Sequence, residues 1–285
     1  IRYHNPAAQA LLGQDRPGGR IADFHTPESM ERVRGEALPT AREHGVWRGE
    51  TDIRNARGEP VPFSQTIIAH RDRHGTVTHY STIARDISHQ RQAEAEIRRL
   101  AYRDPVTGLA NRTTLLERLD QEVSRAQRQG TIGALLYLDL DEFKAINDSL
   151  GHPAGDALLR ALGDRLAEVL RREDLVARVG GDEFVGLVAD LGPDAESAAL
   201  QAEQVAEKLL GALSRPFALD DHRLFVTASL GLTLFPEAGA DRDTLLQQAD
   251  AAMYNAKAEG PGNLRFFHPE MLTAVRRRLD LEQDL

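Results

Sequence analysis

Apolar positions along the chain fall into short runs whose period changes from one segment to the next. Asn5 to Leu12 has helical spacing, whereas Gly45 to Ile53 and Pro60 to Ala69 have the look of strands. Arg71 to Gly75 then reads as a hairpin connection into another strand, Val77 to Ile83. Segment 1–87 is therefore expected to be a small mixed domain dominated by antiparallel strands. In the connector Asp86 to Arg103, Ser88 can cap a helix, and Ala93, Ile97 and Leu100 fall on one seam of a seven-residue repeat. The seam predicts a coiled-coil-like signalling helix over 88–103; an ordinary amphipathic helix packed on its own domain is the alternative.

Beyond Asp104 helices and strands alternate. The pattern predicts helices over Thr113 to Arg128, Phe143 to Leu150, Asp156 to Leu170, Ala195 to Leu213 and Asp243 to Glu259. Gly151-His152-Pro153 reads as a break between the second and third of these. Strands are expected at Ala134 to Asp141 and Leu224 to Leu234, and as a hairpin within Leu175 to Asp190. Lacking the Gly-rich fingerprint of a dinucleotide fold, segment 104–267 is expected to be an α/β sandwich on a mostly antiparallel sheet, which makes the whole chain a mixed α+β protein. Segment 268–285 reads as a charged amphipathic helix.

Composition bounds the chemistry. A chain of 285 residues suffices for about two domains, and 41% hydrophobic with 28% charged residues marks it as globular. No apolar run approaches the roughly eighteen residues that span a bilayer, so a cytoplasmic location is expected. The start at Ile1, without Met, reads as an excised fragment whose parent could carry a membrane anchor. With no Cys there are no disulfides, thiolate metal sites or cysteinyl photoadducts. A net charge of -9 argues against a nucleic-acid polymer as partner, but not against an anionic nucleotide, which needs only local cations.

The stretch Leu175 to Asp190, LVARVGGDEFVGLVAD, carries the strongest signal. Gly180-Gly181 between two apolar runs predicts a tight turn, because Gly takes positive φ without cost. The acids Asp182 and Glu183 follow at once. A turn without side chains lets a bulky anion approach the backbone while adjacent carboxylates hold a divalent cation against it. The strand Ala134 to Asp141 ends in alternating acids, Asp139 and Asp141; beside the hairpin, Asp139 could share a metal with Asp182.

Together RVGGDEF, DLDEFKAINDSLGHPAGDALL and DPVTGLANR resemble the GGDEF domain of diguanylate cyclases, from about Asp104 to Phe267. The resemblance implies a fold related to the nucleotidyl cyclases and the polymerase palm. It also implies a homodimer, with one GTP per subunit, that forms cyclic di-GMP with Mg²⁺ or Mn²⁺. Asp139, Asp182 and the Leu140 carbonyl match the family's metal ligands. Glu183 matches a further acid that binds metal or helps deprotonate the 3′-hydroxyl; the base stays open between Asp182 and Glu183. Asn147 and Asp156 match a guanine-reading pair, with His152 beside them, since a carboxylate accepts guanine N–H and an amide meets a ring acceptor. Phe143 and Lys144 match a phosphate-contacting turn, Gly180 and Gly181 the phosphate-facing hairpin, and Lys257 a phosphate clamp. Arg171 and Asp174, just before the hairpin, match the product-inhibition motif.

One departure stands out: Pro261, without a donor, occupies the place of the family's second clamp, an Arg, with Arg265 as the nearest substitute. The tail resembles a joint to an EAL phosphodiesterase domain that this chain lacks. That keeps open an alternative, a weakly active or inactive GTP-binding module that regulates a downstream EAL domain. NPAAQALLG, GVWRGE, RNARGEPVPF and ARDIS resemble a PAS sensor whose first strand is missing and whose ligand is unknown. Trp47 reads as core, with a pocket wall as the alternative. His25, His44, His70, His74 and His79 read as loop histidines, with a haem ligand as the alternative.

Overall fold

In the computed structural model, which describes residues 1–13, 19–219, 222–237, 239–269 and 271, the chain divides into two units, Ile1–Ile97 and Arg98–Leu285. The predicted tail helix lies almost wholly outside the described residues. In the first unit Asn5 accepts from the Ala8 N–H at 2.8 Å and Pro6 opens helix α1 (Pro6–Leu12). A 3-10 turn (Ile21–Asp23), α2 (Pro27–Arg32), a π-helical turn (Val33–Ala37) and α3 (Leu38–His44) come next. The strands β1 (Val46–Arg54), β2 (Pro60–Arg71) and β3 (Val77–Asp86) form an antiparallel sheet in the order β1-β2-β3. These strands were expected; the helices between 27 and 44 were not, because Gly35 and Pro39 interrupt the pattern. Their buried positions Met30, Val33, Ala37 and Ala41 nevertheless step by three and four, and pack on Trp47 and Ile67.

Trp47 is core: it is 4% exposed and its Nε1 donates to Glu36 at 3.0 Å. That bond, with a second from Arg32, holds the Glu36 carboxyl below its ordinary range. Helix α4 (Ser88–Tyr102) follows β3, but Ser88 does not cap it. Instead Asp86 accepts from the Ser88 N–H at 2.7 Å, and hydrogen bonding to Ser88 keeps its carboxyl low. Along α4 Ile97 and Leu100 stay 67% and 52% exposed.

The second unit is a five-stranded sheet covered on both faces. It contains α5 (Arg112–Gln129), β4 (Gly133–Leu140), α6 (Phe143–Leu150), α7 (His152–Val169), β5 (Leu175–Gly180) and β6 (Glu183–Val188). Then come α8 (Ala195–Leu213), a small hairpin of β7 (Phe217–Leu219) and β8 (His222–Leu224), β9 (Ala228–Phe235), α9 (Arg242–Ala258) and β10 (Leu264–Phe266). The strand order is β10-β9-β4-β6-β5, antiparallel except for the short β10–β9 pair. β4 is central, and its near-continuous apolar sequence suits a strand covered on both sides. Leu136, Leu138 and Leu140 join a core with α7 and α8, whereas Leu135 and Tyr137 face a second core with α5 and α9.

Two boundaries differ from the pattern. His152 and Pro153 are the first residues of α7 rather than part of the break; Gly151 alone, at φ +83°, turns the chain, and Pro at the second helical position needs no N–H partner. The expected strand Leu224 to Leu234 is interrupted at 225–227, leaving β8 and β9.

Helix α9 lies directly on β9 at Gly231: a Cβ there would sit 2.1 Å from both the Ala249 carbonyl oxygen and the Met253 nitrogen. These are backbone atoms, so no rotamer change makes room. Gly231→Ala is therefore expected to cost about 2 kcal/mol or more. The check is a lower urea midpoint at constant slope, and an unchanged midpoint would mean that α9 can retreat.

Candidate functional site

The site grows from the pairing of β4 with β6, which sets Asp139 directly opposite Glu183; the Leu140 N–H donates to the Asp182 carbonyl at 3.3 Å. Three acids thus collect at one end of the sheet. The turn between β5 and β6 is Gly181-Asp182, not Gly180-Gly181: Gly180 still pairs with Glu183, after an irregularity next to Arg178. Gly181 takes φ +45°, and a Cβ on either glycine would meet nothing within 4 Å. The backbone here is open to a bulky neighbour.

Asp139 is buried, and burial pushes its carboxyl above the ordinary range, with the charges of Asp182 and Glu183 adding to the rise. Against this stands Lys257, brought by the end of α9, whose Nζ donates to Asp139 Oδ1. Burial acts to lower the lysine, but the bond to Asp139 and the surrounding acids hold it above its usual value. Lys257 therefore sits at the acid end of the sheet, bonded to Asp139. Among the described residues no three His, Asp or Glu side chains form a closed cage for a metal. The donor set of two carboxylates and a strand-end carbonyl is nonetheless all oxygen, which suits a hard divalent cation, and the crowding of its negative charge favours one.

Four residues to which the sequence reading gives no such role complete this end of the sheet. The Tyr137 hydroxyl donates to Glu183 Oε2 at 3.0 Å, and burial, then the Glu183 charge, pushes its pKa up. Asp141, which the pattern paired with Asp139 as a second acid, is instead an anchor. It accepts from Thr227 Oγ1 at 2.7 Å, Ser229 Oγ at 2.8 Å and the Gly262 N–H at 2.9 Å. Arg178 donates to the Gly181 carbonyl through Nε at 2.9 Å and Nη2 at 2.6 Å, while its Nη1 meets both oxygens of Asp104 at 3.0 and 3.1 Å. Asp104 thereby locks the hairpin turn from seventy-odd positions upstream. Burial alone would raise its carboxyl, but the Thr107 and Arg178 bonds outweigh that and hold it low.

On α6 and α7 the remaining candidates come together. Glu142 enters α6 at φ +58°, a left-handed conformation rare outside Gly, so the backbone beside buried Phe143 and exposed Lys144 is strained. Asn147 lies against Gly155, where a Cβ would come 2.0 Å from its Oδ1, and that oxygen is buried without a partner. Asp156 is half exposed, 4.0 Å from Arg160, and His152 is exposed at the start of α7. Arg171 is exposed, whereas Asp174 spends its oxygens on backbone, accepting from the Arg171 N–H at 3.0 Å and the Ala189 N–H at 3.3 Å. Burial nevertheless raises the Asp174 carboxyl. The Arg265 guanidinium is paired with Glu259, across the loop that holds Pro261.

Residues 101–263 match the family described as diguanylate cyclase, GGDEF domain, and residues 1–89 match the PAS domain family. The cyclic di-GMP phosphodiesterase NbdA of Pseudomonas aeruginosa is 40% identical over 193 residues, 68% of this chain and 24% of that protein. MucR of the same organism, a bifunctional diguanylate cyclase and cyclic di-GMP phosphodiesterase, is 40% identical over 68% of this chain and 27% of its own length. The chain thus spans about a quarter of the curated relatives it matches. Among solved structures, the GGDEF domain of P. aeruginosa YfiN superposes with a TM-score of 0.57 at 35% identity, covering 61% of this chain and 99% of that one. The coiled coil and GGDEF domain of Caulobacter crescentus DgcB, in complex with c-di-GMP, gives 0.54 at 28% identity over 63% and 93%.

The Arg178–Asp104 pair is largely buried, at 11% and 14% side-chain exposure, so removing one partner strands a charge. Asp104→Asn is expected to cost about 3 kcal/mol at neutral pH. Because the Asp104 pKa is depressed in the folded chain, its contribution is present above the unfolded carboxylate value near 4 and is lost as pH falls through the lower folded value. Denaturant unfolding of both forms at pH 7 and pH 3 checks this: the gap between them should narrow in acid.

Proposed function

Because the chain belongs to the diguanylate cyclase GGDEF-domain family, we propose that its second unit joins two GTP molecules into cyclic di-GMP with release of two pyrophosphates. The observation that carries this reading is the strand register that sets Asp139 against Glu183 beside the open backbone of Gly180 and Gly181. Asp139, Asp182 and the Leu140 carbonyl would hold Mg²⁺ or Mn²⁺, which neutralises triphosphate charge as the 3′-hydroxyl of one GTP displaces pyrophosphate from the other. Gly180 and Gly181 leave the phosphates room, with the backbone at Phe143 and Lys144 contacting them. Lys257, already beside Asp139, adds a cation at the same place. Asp156 accepts from guanine N–H groups, and Asn147, its oxygen turned inward against Gly155, offers its amide N–H to the ring, with His152 at the rim. Glu183, held at Oε2 by Tyr137, is available as a metal ligand or as the base.

Each subunit holds one GTP, so the active form is a homodimer with the PAS unit as regulator. The exposed Ile97 and Leu100 on α4 are suited to pairing two copies. A second reading, a weakly active GTP-binding module that controls an EAL domain elsewhere in the parent protein, draws on Pro261: at that position there is no donor, and Arg265 is engaged with Glu259.

Incubation with GTP and Mg²⁺ followed by chromatography separates the two. Wild type is expected to yield cyclic di-GMP and pyrophosphate, and Asp182→Ala to lose more than about a hundredfold in rate, several kcal/mol of charge stabilisation. GTP binding by calorimetry without product would favour the second reading. In the same assay Arg171→Ala should relieve inhibition by added cyclic di-GMP without lowering the initial rate, since its exposed guanidinium is free to pair with phosphate and stack on a base. Unchanged inhibition would remove Arg171 from that role.

A further inference from the structure

The first unit carries a cleft of about 720 Å³, within the span of small-molecule sites, on its helical side. Its floor is apolar, formed by Ala22 and the buried Met30, and buried His25 closes one wall. Two guanidinium groups, Arg34 and Arg54, line it together with one carboxylate, Glu31.

The two arginines reach the cleft by different routes. Arg34 sits on the π-helical turn Val33–Ala37. Val33 and Ala37 are fully buried there, while Arg34 and Gly35 face outward into the cleft. Such wide turns recur at functional sites. Its neighbour Arg32 is paired with Glu36 at 3.1 Å, but among the described residues Arg34 has no hydrogen-bond or ion-pair partner. Arg54 ends β1; its Nη1 is fixed on the Gly58 carbonyl at 3.1 Å, which leaves the other N–H groups of the fork unspent. The wall is built rather than loose. His25 Nδ1 lies 3.0 Å from the Ile21 carbonyl and its Nε2 3.4 Å from Gln65 Oε1, which also accepts from Thr51 at 2.7 Å.

We propose that this cleft is a binding site for a small organic carboxylate with an apolar body. A guanidinium fork matches a carboxylate in plane and in charge, and the cleft is lined by two. The Met30 and Ala22 floor takes a hydrocarbon chain out of water. Glu31 at the rim disfavours a doubly charged phosphate and accepts from a hydroxyl or ammonium on the ligand. The site is independent of the chemistry of the second unit.

The test uses the whole 285-residue chain and 4-methylpentanoate, its 2-hydroxy and 2-amino forms, the uncharged 4-methylpentanamide and inorganic phosphate. Binding is read by calorimetry and by ligand-observed NMR. At least one of the three carboxylates should bind with a Kd below about 1 mM, the amide and phosphate at least about tenfold more weakly. The Arg34→Gln, Arg54→Gln double variant should lose that binding while keeping a cooperative melting transition, because Arg34 is exposed and unpaired and Arg54 gives up one bond, to the Gly58 carbonyl. No binding by any of the carboxylates overturns the proposal. So does phosphate binding as tightly as they do, or full affinity in the double variant when its fold is intact.

Discussion

The register of β4 on β6 is the constraint on which the second unit depends. Side chains alternate along a strand, so a slip of one residue would turn Asp139 toward the α7 and α8 core and break its alignment with Glu183. The slip is prevented by burial: Leu136, Leu138 and Leu140 fill one core and Leu135 the other, each on its proper side. Core packing thereby sets the placement of polar groups that contribute nothing to it. Lys257 meets Asp139 only because α9 sits on β9 at Gly231, so a glycine buried in the sheet helps aim the lysine.

The charges at this end of the sheet are arranged in tension. Asp139, Asp182 and Glu183 crowd one another, burial raises the cost, and the nearest compensations are one ammonium and one phenol. A cluster of this kind accepts further positive charge readily. Away from the acids the turn is pinned covalently distant but spatially close, by Asp104 through Arg178. Rigidity of the turn and electrostatic demand at its tip therefore come from separate residues.

Much of this was readable in the residues. The strands of the first sheet, the four longer strands of the second, the helix Phe143–Leu150 and the helix Ala195–Leu213 follow from period and punctuation alone, whereas the three-residue β10 is too short to show a period. What sequence could not supply was pairing at a distance. Nothing in DPVTGLANR announces that Asp104 meets Arg178, and an alternating DLD gives two acids equal standing, although Asp139 faces the site and Asp141 is consumed by Thr227, Ser229 and Gly262. Gly180-Gly181 looks symmetrical as a turn, yet only Gly181 takes the positive φ. Helices α2 and α3 were missed because Gly35 and Pro39 mask a buried stripe that becomes visible only against Trp47 and Ile67. The inward oxygen of Asn147 likewise depends on Gly155, a neighbour on another helix.

The loop after α9 is fastened to Asp141 by the main-chain N–H of Gly262, and Asn263 bonds the Gly260 carbonyl. Neither tie passes through residue 261. A residue there that tolerates the local backbone leaves both anchors in place. The loop's hold on the sheet and the side chain it carries at 261 are therefore separable, so that side chain can be exchanged while both anchors persist.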